Sequence, residues 1–344
     1  MSQPEHFGIA LVGPGTISEY HLNGLAATGR ATIKAIVGRR LDTAQALAKR
    51  FPTESVSDDL SAVVARDDVD AVVIATPDHT HESITNTALA AGKHVLLQKP
   101  MSTSYASCTR ILDAAERSSA DLQVSFMHRY FEEVCAAQTL LASGAIGTVT
   151  SARMRNATPG PDWGGWFFDP AYVRSGVVAQ LGVHGIDLLT HLLGPVTHVS
   201  ARLDTLVPHR RLADGGTAEV KNPDTALASY RLANGIVVSH EMSMVEVAGC
   251  DRFRLEIYGT EGTIWLRSER GALAIANERG EWSVPTLGEP AFGRRHHDRW
   301  LDGLDGTLPA EHTAKDAAAG MQILESIERS AAAQSVELSV EDSQ

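Results

Sequence analysis

Short apolar runs alternate with helical patterns through the first third of this sequence, and that alternation constrains the fold more than any other feature. The runs read as buried strands at residues 7–12, 32–37, 69–75, 95–97 and 122–126. Helical patterns at 42–51, 82–91 and 105–117 separate them. Strands that alternate with helices pair in parallel, because each crossover returns the chain to the same starting edge. The expected fold class is α/β, beginning with a doubly wound parallel sheet.

Such a sheet takes its ligands beyond the carboxyl ends of its strands. The first strand runs at once into Gly13-Pro14-Gly15-Thr16-Ile17-Ser18, then into a helix through Leu22 and Leu25. Gly13 permits the tight turn. Gly15 lets a pyrophosphate approach the backbone, where a helix N-terminus favours negative charge. Ser18 stands where a third glycine is usual and is small enough for close packing. A plain strand-to-helix turn is the alternative. The second strand ends in Gly38-Arg39-Arg40. A site for NAD carries Asp or Glu there, whereas two guanidinium groups suit a 2′-phosphate. NADP(H) is therefore favoured over NAD(H); otherwise the arginines are a solvated start to the next helix.

Two more strand ends share that edge, at Thr76-Pro77 and at Gln98-Lys99-Pro100. Pro100 lacks an N–H and has a fixed φ, so the strand stops there. The bond before it is one that tolerates a cis peptide. Lys99 is either a solvated turn residue or a cation on the ligand edge.

A chain of 344 residues is natural for two domains. With 43% hydrophobic and 21% charged residues it reads as an ordinary globular protein. Its net charge of −12 argues against nucleic acid or an anionic membrane as partner. Cys108, Cys135 and Cys250 are too few and too scattered for a disulfide framework or a zinc site. Together with the lack of a signal-peptide pattern, they predict a reducing, cytoplasmic setting. No apolar run approaches the roughly 20 residues of a membrane helix.

The pattern changes after about residue 125. Helices are expected at 132–143, 177–193 and 314–333, with an aromatic, glycine-rich loop at 162–168. Strand-like runs at 149–155, 199–206, 226–232, 236–242, 253–258 and 263–266 follow one another with few helices between, which predicts a mostly antiparallel sheet. Asn234-Gly235 is a hairpin signal. The expected division is 1–125 for nucleotide binding and 126–344 for substrate binding and oligomerisation. Helical spacing puts His184, Asp187 and His191 on one face. Three readings stand open: a metal site, a buried histidine satisfied by Asp187, or His184 as a proton donor or acceptor working with Lys99. No metal is expected.

Taken together, Gly13-Pro14-Gly15, Thr76-Pro77 with His81, Lys99-Pro100, Arg129 and Gly182-Val183-His184-Gly185-Ile186-Asp187 resemble the Gfo/Idh/MocA family over nearly the whole chain. That resemblance implies a Rossmann domain followed by an α/β domain with an open, mostly antiparallel sheet. It implies hydride transfer between NAD(P) and a sugar, polyol or related carbonyl compound, in a homodimer or homotetramer formed through the open sheet. Lys99 matches the family's catalytic lysine and His184 its histidine. Gln98 and Gln180 stand where the family usually has Glu and Asp, so two carboxylates are replaced by amides.

The candidate cofactor contacts are Gly13, Gly15, Thr16, Ile17, Arg39, Arg40, Thr76, Pro77, His81, Gln98 and Lys99. The candidate substrate contacts are Lys99, Arg129, Tyr130, Trp163, Trp166, Gln180 and His184. Trp163 and Trp166 read equally well as core. Two rival readings are a non-catalytic NADP-binding sensor, and a lyase or hydrolase whose cofactor stays bound through transient oxidation.

Overall fold

The strand Phe7–Val12 (β1) is buried along its whole length, because both of its faces are apolar and both are covered. It belongs to a computed structural model that describes residues 6–247, 252–268, 272–288, 291 and 293–341. The chain divides into two compact units, Met1–Met127 with Ala291–Ala318, and His128–Pro290 with Ala319–Gln344. Among the described residues the α-helices are α1 (Ser18–Thr28), α2 (Leu41–Ala48), α3 (Leu60–Val64), α4 (His81–Ala90), α5 (Tyr105–Glu116), α6 (Glu132–Ala142), α7 (Val183–Leu193), α8 (Arg294–Leu304) and α9 (Thr313–Ala332).

In the first unit β1 is joined by β2 (Ala31–Val37), β3 (Val56–Ser57), β4 (Ala71–Ile74), β5 (His94–Gln98) and β6 (Leu122–Ser125). Every pairing is parallel and the order is β3-β2-β1-β4-β5-β6. The order reverses between β1 and β4, the switch point where such sheets open a crevice for ligand. Phe7, Ile9 and Leu11 point to one face and pack with Leu22 and Leu25 of α1, Leu47 of α2, and Trp300 and Leu301 of α8. The Lys99-Pro100 peptide is cis.

The second unit carries β7 (Val149–Ala157), β8 (Val196–Asp204), β11 (Thr225–Leu232), β12 (Val237–Ser243), β13 (Phe253–Gly259), β14 (Gly262–Ser268), β15 (Ala272–Asn277), β16 (Trp282–Ser283) and β17 (Leu338–Ser339), with β9 (His209–Arg211) and β10 (Thr217–Glu219) as a separate hairpin. The large sheet runs β16-β15-β14-β13-β7-β12-β11-β8-β17. Its pairings are antiparallel except β7 with β12. The fold is thus α/β with one parallel sheet and one mostly antiparallel sheet. Asn234-Gly235 makes the β11–β12 hairpin, with Gly235 at φ 87°. Along β11 buried and exposed residues alternate, so one face of the sheet is covered and the other is open. The helix expected at 177–193 opens instead with a π-helical turn, Val178–Gly182, before α7. Cys250 lies outside the described residues.

Candidate functional site

The first unit carries a candidate site at its switch point. Gly13 has φ 96°, and a Cβ there would lie 2.6 Å from the Ala75 carbonyl oxygen. Only glycine fits. Gly15 has no such constraint, since a Cβ there would be 4.0 Å from the same oxygen. The protein itself does not require a glycine at that point; open space there suits a group that approaches the backbone closely. Ser18 is buried, and its hydroxyl donates to the Gly13 carbonyl at 2.5 Å, closing the turn at the third-glycine position. Among the described residues the backbone N–H groups of Thr16 and Ile17 have no protein acceptor. They lead into α1, and that helix start has no side-chain cap. Free N–H donors at a helix start beside open backbone fit the pyrophosphate of a dinucleotide.

Arg39 and Arg40 are exposed at the end of β2, and no acid occupies positions 38–40. A Cβ at Gly38 would meet the Pro14 ring at 2.8 Å, so this strand end packs directly on the glycine turn. His81, buried at the start of α4, faces two carbonyl oxygens: Thr76 O at 2.9 Å from Nε2 and Pro100 O at 2.9 Å from Nδ1. It ties the Thr76-Pro77 loop to the loop after Lys99. Thr80 adds a bond from its hydroxyl to Thr76 Oγ1 at 2.7 Å. Gln98 is buried, and its Oε1 accepts from the Lys99 backbone N–H at 2.7 Å.

The second unit builds around α7. Gly182 and Gly185 let that helix lie directly on the sheet. A Cβ at Gly182 would be 2.3 Å from Met242 Sδ, and one at Gly185 would be 2.2 Å from Asn156 Oδ1. His184 and Asp187 are each 5% exposed. The His184 ring lies 4.5 Å from the His128 ring and edge-on to Phe253 at 5.6 Å. Asp187 is held by Arg129, whose Nε donates to both carboxylate oxygens at 3.1 and 3.0 Å and whose Nη2 donates to Oδ1. Arg129, expected among the substrate contacts, is buried in this ion pair. Under α7, His240 Nε2 donates to Asn156 Oδ1 at 2.5 Å, and the Tyr230 hydroxyl donates to His240 Nδ1 at 2.9 Å. Burial pushes His240 down to about 3 and the Tyr230 hydroxyl up, so both are neutral.

The aromatic loop divides its work. Phe167 and Phe168 are buried, while Trp163 is 69% and Trp166 44% exposed, each with its ring 6.0 Å from that of Phe167. The tryptophans are therefore not core. Tyr130 and Gln180 are half-buried, Tyr130 in the turn before α6 and Gln180 in the π-helical turn before α7. Sequence reasoning passed over His128, Asn156, His240, and a histidine pair behind Gln98, His21 and His297. The mid-helix glycines Gly24 and Gly185 were the available signal, since each marks a helix pressed against one of these buried histidines.

The strand order and the glycine cradle define a dinucleotide-binding domain. Residues 7–126 match the model of an oxidoreductase family with an NAD-binding Rossmann fold, and residues 134–265 match the GFO/IDH/MocA C-terminal domain. An inositol 2-dehydrogenase of Acidothermus cellulolyticus is 31% identical over 268 residues, covering 76% of this chain and 73% of that one. A levoglucosan dehydrogenase of Pseudarthrobacter phenanthrenivorans is 28% identical over 334 residues, covering 83% and 85%. A levoglucosan dehydrogenase solved with NADH and levoglucosan superposes with a TM-score of 0.88 at 25% identity, over 97% of this chain and 99% of that one. The chain belongs to the Gfo/Idh/MocA family of NAD-binding oxidoreductases.

Proposed function

We propose that this protein is an NADP-favouring dehydrogenase or reductase of a sugar, polyol or related carbonyl compound, with Lys99 and His184 as its catalytic residues. The observation that carries the reading is the edge of the first sheet. The N–H groups of Thr16 and Ile17, unpartnered among the described residues, the room at Gly15, and Lys99 all belong to the carboxyl ends of its strands. Levoglucosan and inositol dehydrogenases among the relatives support a carbohydrate-like alcohol as substrate.

A dinucleotide held at the glycine turn by the N–H groups of Thr16 and Ile17 would supply the hydride-transfer chemistry. Lys99 donates a hydrogen bond to the substrate oxygen on which charge develops. His184 takes the hydroxyl proton in oxidation and returns it in reduction. Trp163 and Trp166 offer exposed aromatic faces to the C–H faces of a sugar, and Tyr130 and Gln180 offer polar groups. Arg129 acts by holding Asp187 on the helix of His184, and His81 by tying the loops at Thr76 and Pro100. Arg39 and Arg40 support NADP(H) because they are exposed where an NAD site carries an acid. The open sheet face exposes Leu227 and Val237, which supports a homodimer or homotetramer through it. Among the described residues, Cys108 and Cys135 form no disulfide, which supports a reducing, cytoplasmic setting.

The test is the near-ultraviolet absorbance of reduced nicotinamide. The protein is mixed with NADP or NAD and a panel of sugars, polyols and sugar acids, then with NADPH or NADH and their keto forms. Turnover with NADP and one such compound is expected. A preference for NAD would overturn the role of Arg39 and Arg40. Tight NADPH binding with no turnover across the panel would favour a sensor.

A further inference from the structure

Gln98 is the first member of a buried hydrogen-bond chain inside the first unit. With Oε1 committed to the Lys99 N–H, its NH2 end faces His21 Nε2 at 3.3 Å. His21 Nδ1 lies 3.0 Å from His297 Nε2. His297 Nδ1 lies 2.6 Å from the Gly293 carbonyl oxygen. His21 and His297 are fully buried, on α1 and α8. Gly24 makes their approach possible, since a Cβ there would be 2.2 Å from His297 Nδ1.

The two ends of the chain are backbone groups with fixed roles. The Lys99 N–H only donates and the Gly293 carbonyl only accepts. Every member between must therefore accept from one neighbour and donate to the next. One carboxamide and two neutral imidazoles satisfy this with a single assignment. Gln98 donates to His21 Nε2, His21 donates from Nδ1 to His297 Nε2, and His297 donates from Nδ1 to Gly293.

We infer that Gln98 is a positioning residue for Lys99, and that an amide stands there because the histidine pair behind it presents a lone pair rather than an N–H. The inference rests on reading Lys99 as the residue that acts on substrate. A carboxylate at this position would accept at both of its ends. His21 would then donate from Nε2 while His297 still donates from Nδ1, and the bond between the rings needs a third proton. Two rings holding three protons means one imidazolium. Among the described residues, no carboxylate hydrogen-bonds to Gln98, His21 or His297. Among the described residues, the rings of Tyr20 on α1 and His296 on α8 pack against both His21 and His297. The Tyr20 hydroxyl is 3.1 Å from His296 Nδ1, and the His296 and His297 rings are 4.9 Å apart. Burial pushes His297 down to about 4, and it pushes His21 and His296 well below the ordinary range, with neighbouring imidazoles adding to the effect.

The experiment is nitrogen-15 NMR of the imidazoles in the whole protein, for the wild type and for Gln98→Glu, through the range around the ordinary histidine pKa of about 6.5. In the wild type both His21 and His297 should be neutral, protonated at Nδ1 and free of titration. Gln98→Glu should bind one additional proton that titrates near neutrality. Gln98→Leu, which keeps the bulk but loses both bonds, should lower kcat about tenfold or more. A wild-type His21 protonated at Nε2, or charged at neutral pH, would overturn the assignment whether or not the variants fold. Tautomers as assigned, with unchanged kcat in Gln98→Leu, would overturn the positioning role. Normal turnover in Lys99→Met would overturn the underlying reading of Lys99 without altering the tautomers.

Discussion

Replacing Gly185 with Ala sets two effects of opposite sign against each other. Helix propensity alone favours the change by about 1 kcal/mol in a helix interior. The structure opposes it. The new Cβ would sit 2.2 Å from Asn156 Oδ1 and 2.7 Å from His240 Nε2. Neither group can swing into solvent, because both residues are fully buried and are bonded to each other at 2.5 Å. If that bond breaks, the stranded polar atoms cost about 1–3 kcal/mol. If α7 lifts instead, overpacking costs a further 1–3 kcal/mol or so. Sterics win, and the variant should lose about 2–4 kcal/mol in the second unit. Urea unfolding, fitted with separate transitions for the two units, measures the loss. His184 is the preceding residue, so kcat should fall as well. A variant as stable as the wild type, or more so, would refute the close seating of α7 on the sheet.

Other outcomes follow from the same geometry. Gly13→Ala, at φ 96° and with a 2.6 Å contact, should cost about 2 kcal/mol or more in urea unfolding. Gly15→Ala should leave stability within about 0.5 kcal/mol yet raise the Kd for NADPH about tenfold in a fluorescence titration. Acid should destabilise the protein in a defined window. His21, His240, His296 and His297 are held neutral by burial, with His297 lowered to about 4 and His240 to about 3. The unfolded chain therefore takes up protons first. Stability is full above about pH 6.5 and falls below it, by about 1.4 kcal/mol per pH unit for each histidine until its folded pKa is reached. Urea midpoints measured against pH check this, and a flat profile would contradict neutral burial.

The parallel sheet was legible because its strands are apolar on both faces and each ends in a turn residue, as at Gly13, Pro77 and Pro100. The antiparallel sheet was legible from closely spaced strands and the Asn234-Gly235 hairpin. Helix α8 was not. Its buried face is His296, His297, Trp300 and Leu301, so half of the residues that mark its periodicity are histidines, which apolar patterning does not count. Strands β3 and β17 are two residues long and carry no period. In the candidate site, residues could be named from local sequence but their partners could not. Arg129 and Asp187 are 58 positions apart, and His21 and His297 are 276 apart. The sequence also left Trp163 and Trp166 balanced between core and pocket, and the structure gives the core role to Phe167 and Phe168.

The most direct test of the central claim is Lys99→Met, assayed for turnover by nicotinamide absorbance and for NADPH binding by fluorescence. The reading of Lys99 as the group that stabilises charge on the substrate oxygen predicts a loss of turnover of about a hundredfold or more, with NADPH binding nearly unchanged. Near-normal turnover would contradict it.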